Sequence, residues 1–429
     1  MNKVTQQDRK LHPCFERARA GDCGRVHLPV APQCTISCRF CNRKYDCLNE
    51  SRPGVSSAIL SPQQALVYVE HLRLRMPSLT VAGIAGPGDA FADSARTLET
   101  MRLVHERFPD MLMCLSTNGL NAPAHLAEAV TCGLTHLTVT VNAPDAVTGA
   151  KVYAWVRDGK RLLRGEDGAA LLLERQKQAI RLGHELGSTV KVNAILVPGV
   201  NDERIVDIAR LAAECGADLF NLIPMLPVAD TPFAAIEPPS KDRVKQIRGA
   251  CERYIKQMYH CGRCRADAVG LLGAEQSDEV NRLLATVASM PSVADRHRPY
   301  VAVATREGAL VNQHLGEAGS LAVYRYENGE VHLVEVRKTP EPGSGDQRWI
   351  TLAEQLKDCR ALLVSGVGPR PRSILEDRGI RLHEVEGLVE MAVASVFGQG
   401  GGIERLQKRC GGGCVKATAC EGNGSGCGA

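Results

Sequence analysis

Cys34, Cys38 and Cys41 form a C-x3-C-x2-C run that directly follows the apolar stretch 26–32. Thiolates are soft ligands that select zinc, copper or iron-sulfur clusters, and a closed structural zinc site takes four of them, commonly from paired C-x2-C units. Three close thiolates suit a 4Fe-4S cube better, because each holds one iron and the fourth iron stays open to another ligand. Part of a zinc knuckle, or unligated buried cysteines, are the plainer readings of the same residues.

The spacing resembles that of the radical S-adenosylmethionine (SAM) enzymes. That resemblance implies that the open iron chelates the amino and carboxylate groups of SAM, and that reductive cleavage of SAM yields a 5'-deoxyadenosyl radical.

Composition bounds the alternatives. The 429 residues are too many for one ordinary core and suggest two domains. With 23% charged and 44% hydrophobic residues, the balance is that of a soluble globular protein. A net charge of +4 argues against extended binding to nucleic acid. The first ten residues lack the apolar core of a signal peptide, and no apolar run is long enough to span a bilayer, so a cytoplasmic protein without membrane contact is expected. Seventeen cysteines in a reducing compartment point to metal ligation rather than disulfides.

Apolar runs rich in β-branched residues predict strands over 26–30, 80–85, 111–116, 136–141, 190–197 and 219–223. Helical periodicity predicts helices over 62–75, 95–107, 174–186 and 203–214; in the last, Ile205, Ile208, Ala209 and Ala212 share one face. Six strands alternating with helices imply a parallel sheet with right-handed crossovers, as a partial barrel or an open doubly wound sheet. Such folds place their sites at the C-terminal strand ends. There the chain carries the cysteine triplet, then Ala85-Gly86-Pro87-Gly88-Asp89, then Cys114 with Ser116 and Asn118, and then Asn142, Asn193 and Asn221.

In this order the chain resembles a particular radical SAM family, the maturases of the nitrogenase cofactor. The likeness rests on His12-Pro13-Cys14, His27-Leu28-Pro29-Val30-Ala31-Pro32, Cys41-Asn42-Arg43-Lys44-Tyr45-Asp46-Cys47 and Asn49-Glu50-Ser51-Arg52-Pro53-Gly54-Val55. It continues through Ala85-Gly86-Pro87-Gly88-Asp89 and His260-Cys261-Gly262-Arg263-Cys264-Arg265-Ala266-Asp267. The resemblance implies a partial (β/α)6 barrel over 26–290, preceded by a cluster-ligand segment 1–25. It implies fusion of two 4Fe-4S precursor clusters into an 8Fe-9S cluster with a central carbide taken from the SAM methyl group, plus one sulfur from a separate source. Iron-sulfur cluster donors would supply the precursors, and scaffold and carrier proteins would receive the product.

Under that resemblance Cys14 and Cys47, flanking the triplet, are candidates for one precursor, with His12 as a possible nitrogen ligand. Cys114 joins the Cys261-x2-Cys264 pair for the other, although the pair alone equally suits half a zinc site. Glu50 and Arg52 could hold SAM or order the precursor site, or form a surface ion pair. Gly86, Gly88 and Asp89 occupy the place of the family's loop for the methionine amino group, with Asp89 or neighbouring carbonyls accepting from it. Ala90-Phe91 stand where the family pattern has Pro-Leu. Ser116, Asn118, Asn142 and Asn193 are candidate ribose or carboxylate contacts, or caps of backbone groups. Cys23 departs from the family pattern.

A break over 289–299 precedes predicted strands 300–304, 322–326, 331–336 and 361–365 and helices 350–357 and 390–397. This smaller α/β domain, 298–397, resembles the NifX/NafY type of cofactor-binding domain, and its segment Asn312-Gln313-His314-Leu315-Gly316 makes His314 a candidate contact for product. The glycine-rich tail 398–429, expected to be disordered, carries Cys410, Cys414, Cys420 and Cys427. Two other classes fit parts of the pattern: a radical SAM maturase of a peptide or small molecule with an auxiliary cluster, and a non-enzymatic iron-sulfur carrier.

Overall fold

The computed structural model describes residues 11–19, 21–49, 54–272, 277–290, 298–327, 329–397, 403 and 406. Glu50 and Arg52 and the four tail cysteines lie outside them. Two compact units divide the chain, the first ending at Met290.

The first unit runs β1 (Gly24–His27), β2 (Ile36–Cys38), α1 (Pro62–Arg75), β3 (Leu79–Ile84), α2 (Ser94–Arg107), β4 (Leu112–Thr117), α3 (Ala122–Thr131) and β5 (Leu134–Thr140). It continues through α4 (Ala146–Val152), β6 (Tyr153–Asp158), β7 (Arg161–Leu163), α5 (Gly165–Glu185), β8 (Thr189–Leu196), α6 (Ile205–Glu214), β9 (Leu219–Pro224), α7 (Lys241–Cys251), β10 (Val269–Gly270) and α8 (Asp278–Ser289). Helix starts follow local chemistry: Ser61 and Gln64 form a reciprocal capping box on α1 with Pro62 in its first turn, and Asp93 and Ser277 cap α2 and α8.

Seven strands form one curled half-barrel in the order β10-β1-β3-β4-β5-β8-β9, parallel throughout except for β10. All six predicted barrel strands are present. The added β10 pairs with β1 over two residues only, too short to leave a periodic signal. So too with β2, which carries Cys38 and pairs with β6, itself paired with β7, in a small separate sheet.

Alternation along the strands sorts the side chains. Val26, Ala82, Ile84, Met113, Leu115, Leu137, Val139, Val192, Ala194, Phe220 and Leu222 face the helices and form the main core. Their neighbours Arg25, His27, Gly83, Cys114, Ser116, Thr138, Lys191, Asn193 and Asn221 face inward and line a cavity. Polar groups inside apolar strands are thus what makes the barrel a site instead of a filled core.

The second unit is a sheet of order β14-β13-β11-β15-β16, built from β11 (Tyr300–Val303), β13 (Ser320–Glu327), β14 (Glu330–Lys338), β15 (Cys359–Val364) and β16 (Arg381–Glu384). A ribbon of β12 (Leu310–Val311) and β17 (Gly387–Leu388) lies beside it. One face packs on α9 (Asp346–Gln355) and α10 (Pro369–Glu376), the other on α11 (Val389–Val396). His314 ends the loop after β12, where its Nδ1 accepts from the Gly316 N–H at 3.1 Å.

Candidate active site

The upper pocket sits at the C-terminal strand ends and is lined by Cys34, Cys38, Cys41, Arg43, Cys47, Asn49, Gly88, Asp89, Asn118 and Thr140, among others. The loop after β1 and the loop after β3 hold each other: Gly88 N–H donates to Ala31 O at 2.6 Å, Asp89 N–H to Gln33 O at 2.7 Å and Cys47 N–H to Pro87 O at 2.9 Å. Arg43 adds bonds to the carbonyls of Pro32 and Pro87.

Both glycines are obligatory in this contact. Gly86 has φ +124°, a left-handed conformation that strains any side chain. A Cβ on Gly88 would lie 2.0 Å from Gln33 O, a backbone atom that cannot swing aside. Gly88→Ala is therefore expected to push the two loops apart and to weaken SAM binding by at least about tenfold, since a displacement on the order of 1 Å suffices for such losses. Equilibrium dialysis with SAM, alongside an unchanged circular dichroism spectrum, checks this.

Asp89 is buried, and burial raises its pKa although several donors stabilise the carboxylate. Phe91 N–H and Thr117 O–H donate to it at 3.0 Å each, with Asn118 N–H also within reach. That carboxylate fastens the loop to the end of β4, which leaves loop carbonyls as the groups able to accept from an ammonium. Ala90 and Phe91 are buried core residues here. Asn118 turns its amide toward Thr35 Oγ1 at 3.1 Å and Cys34 Sγ at 3.9 Å. Asn142 faces neither cavity: its Nδ2 donates to Asn49 Oδ1 and its Oδ1 accepts from Ile195 N–H. Ser116 and Asn193 line the lower cavity instead.

Burial pushes the thiol of Cys34 up to about 11, helped by the Asp89 charge, and raises Cys38 and Cys41 as well. Buried thiols of this kind stay protonated until a cationic centre replaces the missing solvent. Three such thiols lining one pocket are the donor set of a 4Fe-4S cube with one free corner. Among the described residues no three His, Cys, Asp or Glu side chains converge on a single ion.

Deeper in the barrel lies the larger cavity, roughly 710 Å³ of space between atoms. Cys14, Cys114, Cys261 and Cys264 all line it, so Cys14 joins the other three while Cys47 stays with the triplet. Cations Arg25, Lys191 and Arg263 line it too, and among its described lining residues there is no carboxylate. Arg25 Nη2 donates to Cys264 Sγ at 2.7 Å, and Asn221 Nδ2 to Cys261 Sγ at 3.5 Å. Below, segment 11–19 closes the strands' N-terminal ends: Phe15 packs with Leu219 and Met258, and the rings of His12 and His136 lie 4.5 Å apart.

Two histidines face this cavity in opposite states. His12 Nδ1 accepts from Cys14 N–H at 3.1 Å, which puts its proton on Nε2 when neutral. His27 Nδ1 lies 2.9 Å from Arg265 O and must donate to it, which leaves the Nε2 lone pair free for a metal. Burial, with Arg25 nearby, lowers His27 to about 4, so it is a neutral ligand at physiological pH. Of the two, His27 presents an open ring nitrogen to the cavity, whereas His12 is the histidine that the sequence offered as a possible ligand. Sequence reasoning missed His27, along with Arg25, Lys191 and Arg43; for all but Arg43 the available signal was polar residues at alternate positions of buried strands.

A half-barrel of parallel strands, with a cysteine triplet at their C-terminal ends, defines a radical SAM protein, and the family model described as "Radical SAM superfamily" matches residues 28–212. A second model, "Dinitrogenase iron-molybdenum cofactor", matches residues 297–399. The chain is 46% identical over 97% of its length to the FeMo cofactor biosynthesis protein NifB of Chlorobaculum tepidum, covering 99% of that protein. It is 36% identical to NifB of Klebsiella pneumoniae, with 86% of each chain covered. Among solved structures, methylornithine synthase (PylB) is similar at a TM-score of 0.38 and 15% identity, over 65% of this chain and 85% of that one. The chain belongs to the NifB family of FeMo cofactor biosynthesis proteins.

Proposed function

We propose that the protein joins two 4Fe-4S precursor clusters, with a carbide drawn from SAM and one added sulfur, into an 8Fe-9S cluster for the nitrogenase cofactor. The observation that carries this reading is the stacking of two thiol-lined cavities in one barrel. A radical SAM enzyme acting on a peptide or small organic molecule would use the four thiols of the lower one for a single resident auxiliary cluster, so the cluster count separates the two readings.

Cys34, Cys38 and Cys41 would hold the resident 4Fe-4S cluster, and the carbonyls of the loop around Gly86 and Gly88 would orient SAM. With SAM bound, that centre supplies a one-electron route to the 5'-deoxyadenosyl radical. The cargo clusters are anionic once ligated by thiolates, and Arg25 and Lys191 offset that charge where water is excluded. Cys14, Cys114, Cys261 and Cys264 with His27 offer few ligands per precursor. Sparse ligation suits a substrate that must leave as product. Cys47 lines the upper pocket beside the triplet.

Iron-sulfur cluster donors would load this cavity, and carrier and scaffold proteins would take the product, with the second unit as the docking module. Anaerobic reconstitution is expected to give three 4Fe-4S clusters per chain by iron and sulfide analysis. Addition of SAM and dithionite should then yield both S-adenosylhomocysteine and 5'-deoxyadenosine. One cluster per chain would overturn the reading.

A further inference from the structure

Five of the asparagines buried in the barrel form a group: Asn49, Asn142, Asn193, Asn201 and Asn221. Their amides are joined. Asn201 Nδ2 donates to Asn142 O at 2.9 Å, Asn142 Nδ2 to Asn49 Oδ1 at 3.0 Å, Asn193 Nδ2 to Asn49 O at 3.1 Å and Asn221 Nδ2 to Asn193 Oδ1 at 3.1 Å. The chain of amides starts at the triplet, where Asn49 Nδ2 lies 3.6 Å from Cys38 Sγ and 3.7 Å from Cys47 Sγ. It ends in the lower cavity, where Asn221 reaches Cys261 Sγ.

The orientation of the Asn49 amide follows from its neighbours. Asn142 Oδ1 is taken by the Ile195 N–H, so Asn142 must present its NH2 to Asn49, and Asn49 must answer with its oxygen. Its own NH2 is thereby directed at the two sulfurs. A flipped Asn49 would set NH2 against NH2 and oxygen against sulfur.

A donor on a cluster-ligating sulfur draws electron density from it and favours the cluster with one more electron, and such bonds are among the determinants of iron-sulfur potentials. In a buried site the effect is not diluted by water. We infer that Asn49 is a positioning residue that raises the reduction potential of the cluster held by Cys34, Cys38 and Cys41, its donor group aimed at Cys38 by the asparagine chain. The inference rests on the reading of the triplet given above.

The test uses full-length, anaerobically reconstituted protein and follows, by electron paramagnetic resonance (EPR) during a dithionite titration, the reduced signal that changes when SAM is added. Asn49→Asp keeps the acceptor for Asn142 and removes the donor. Its reduced-to-oxidised ratio at a fixed potential is expected to fall about tenfold, equivalent to about 59 mV for a one-electron couple. Asn49→Gln, which keeps a donor, should recover part of the shift. Should Asn49→Asp fail to load the cluster, Asn142→Asp serves instead: it keeps the acceptor for Ile195 N–H but forces the Asn49 amide to flip, with the same lowering expected. An unchanged midpoint in a cluster-loaded variant overturns the inference. A wild-type protein with no SAM-responsive signal overturns the reading of the triplet itself.

Discussion

Replacing Cys38 by alanine is expected to reduce 5'-deoxyadenosine formation by more than about 100-fold, beyond the range seen when only a ligand's supporting partner is lost. Cys38 is 4% exposed and packs with Phe40, Leu48 and Tyr153. Replacing its thiol by hydrogen leaves a small cavity, worth about 1 kcal/mol, so the fold should survive. Chromatography of the nucleoside product, with thermal unfolding as the control, checks the expectation. Cys34→Ala and Cys41→Ala should behave alike, because each thiolate would hold a different iron of the same cube. A Cys38→Ala protein that still cleaves SAM at the wild-type rate would remove the triplet from the chemistry.

The second large effect is expected from Cys261→Ala combined with Cys264→Ala. Both sulfurs line the lower cavity, each under its own donor, Asn221 and Arg25. Without them the cargo loses its paired ligands, so iron per chain should fall toward the content of a single cluster, while the SAM-responsive EPR signal persists. SAM would still be cleaved, now without a methyl acceptor. Cys114→Ala should show a milder form of the same loss. Arg25 keeps the carbonyls of Gly270 and Leu271 as partners, so the double variant does not strand its charge. Iron analysis and EPR on matched samples decide this. Equal loss of both signals would show that the two cavities do not load independently.

The strands of the barrel were legible because their helix-facing residues are uniformly apolar, as with Val26, Met113, Leu137 and Phe220. The triplet and the Gly86–Gly88 turn were legible as well, since both depend on residue types that few other demands explain. What spacing could not convey is which residues meet across the barrel. Cys14 and Cys47 both flank the triplet in sequence, yet the turn over 11–19 carries Cys14 beneath the strands, against Lys191 and beside Cys261 and Cys264. The roles of the histidines were equally hidden. His12 and His27 differ through one hydrogen bond each, to a backbone N–H and to a backbone carbonyl, and only coordinates reveal the tautomer that follows. Asn142 at a strand end suited a ligand contact or a backbone cap, and its amide is spent on Asn49 and on the Ile195 N–H.

The central claim is that the lower cavity receives carbon from SAM as well as iron and sulfur. Reconstituted wild-type protein, given SAM labelled in its methyl carbon, dithionite and a sulfur source, should yield an extractable iron-sulfur cluster that carries the label. Label that appears only in methylated protein or in free small molecules, with the precursor clusters unchanged, would contradict the account.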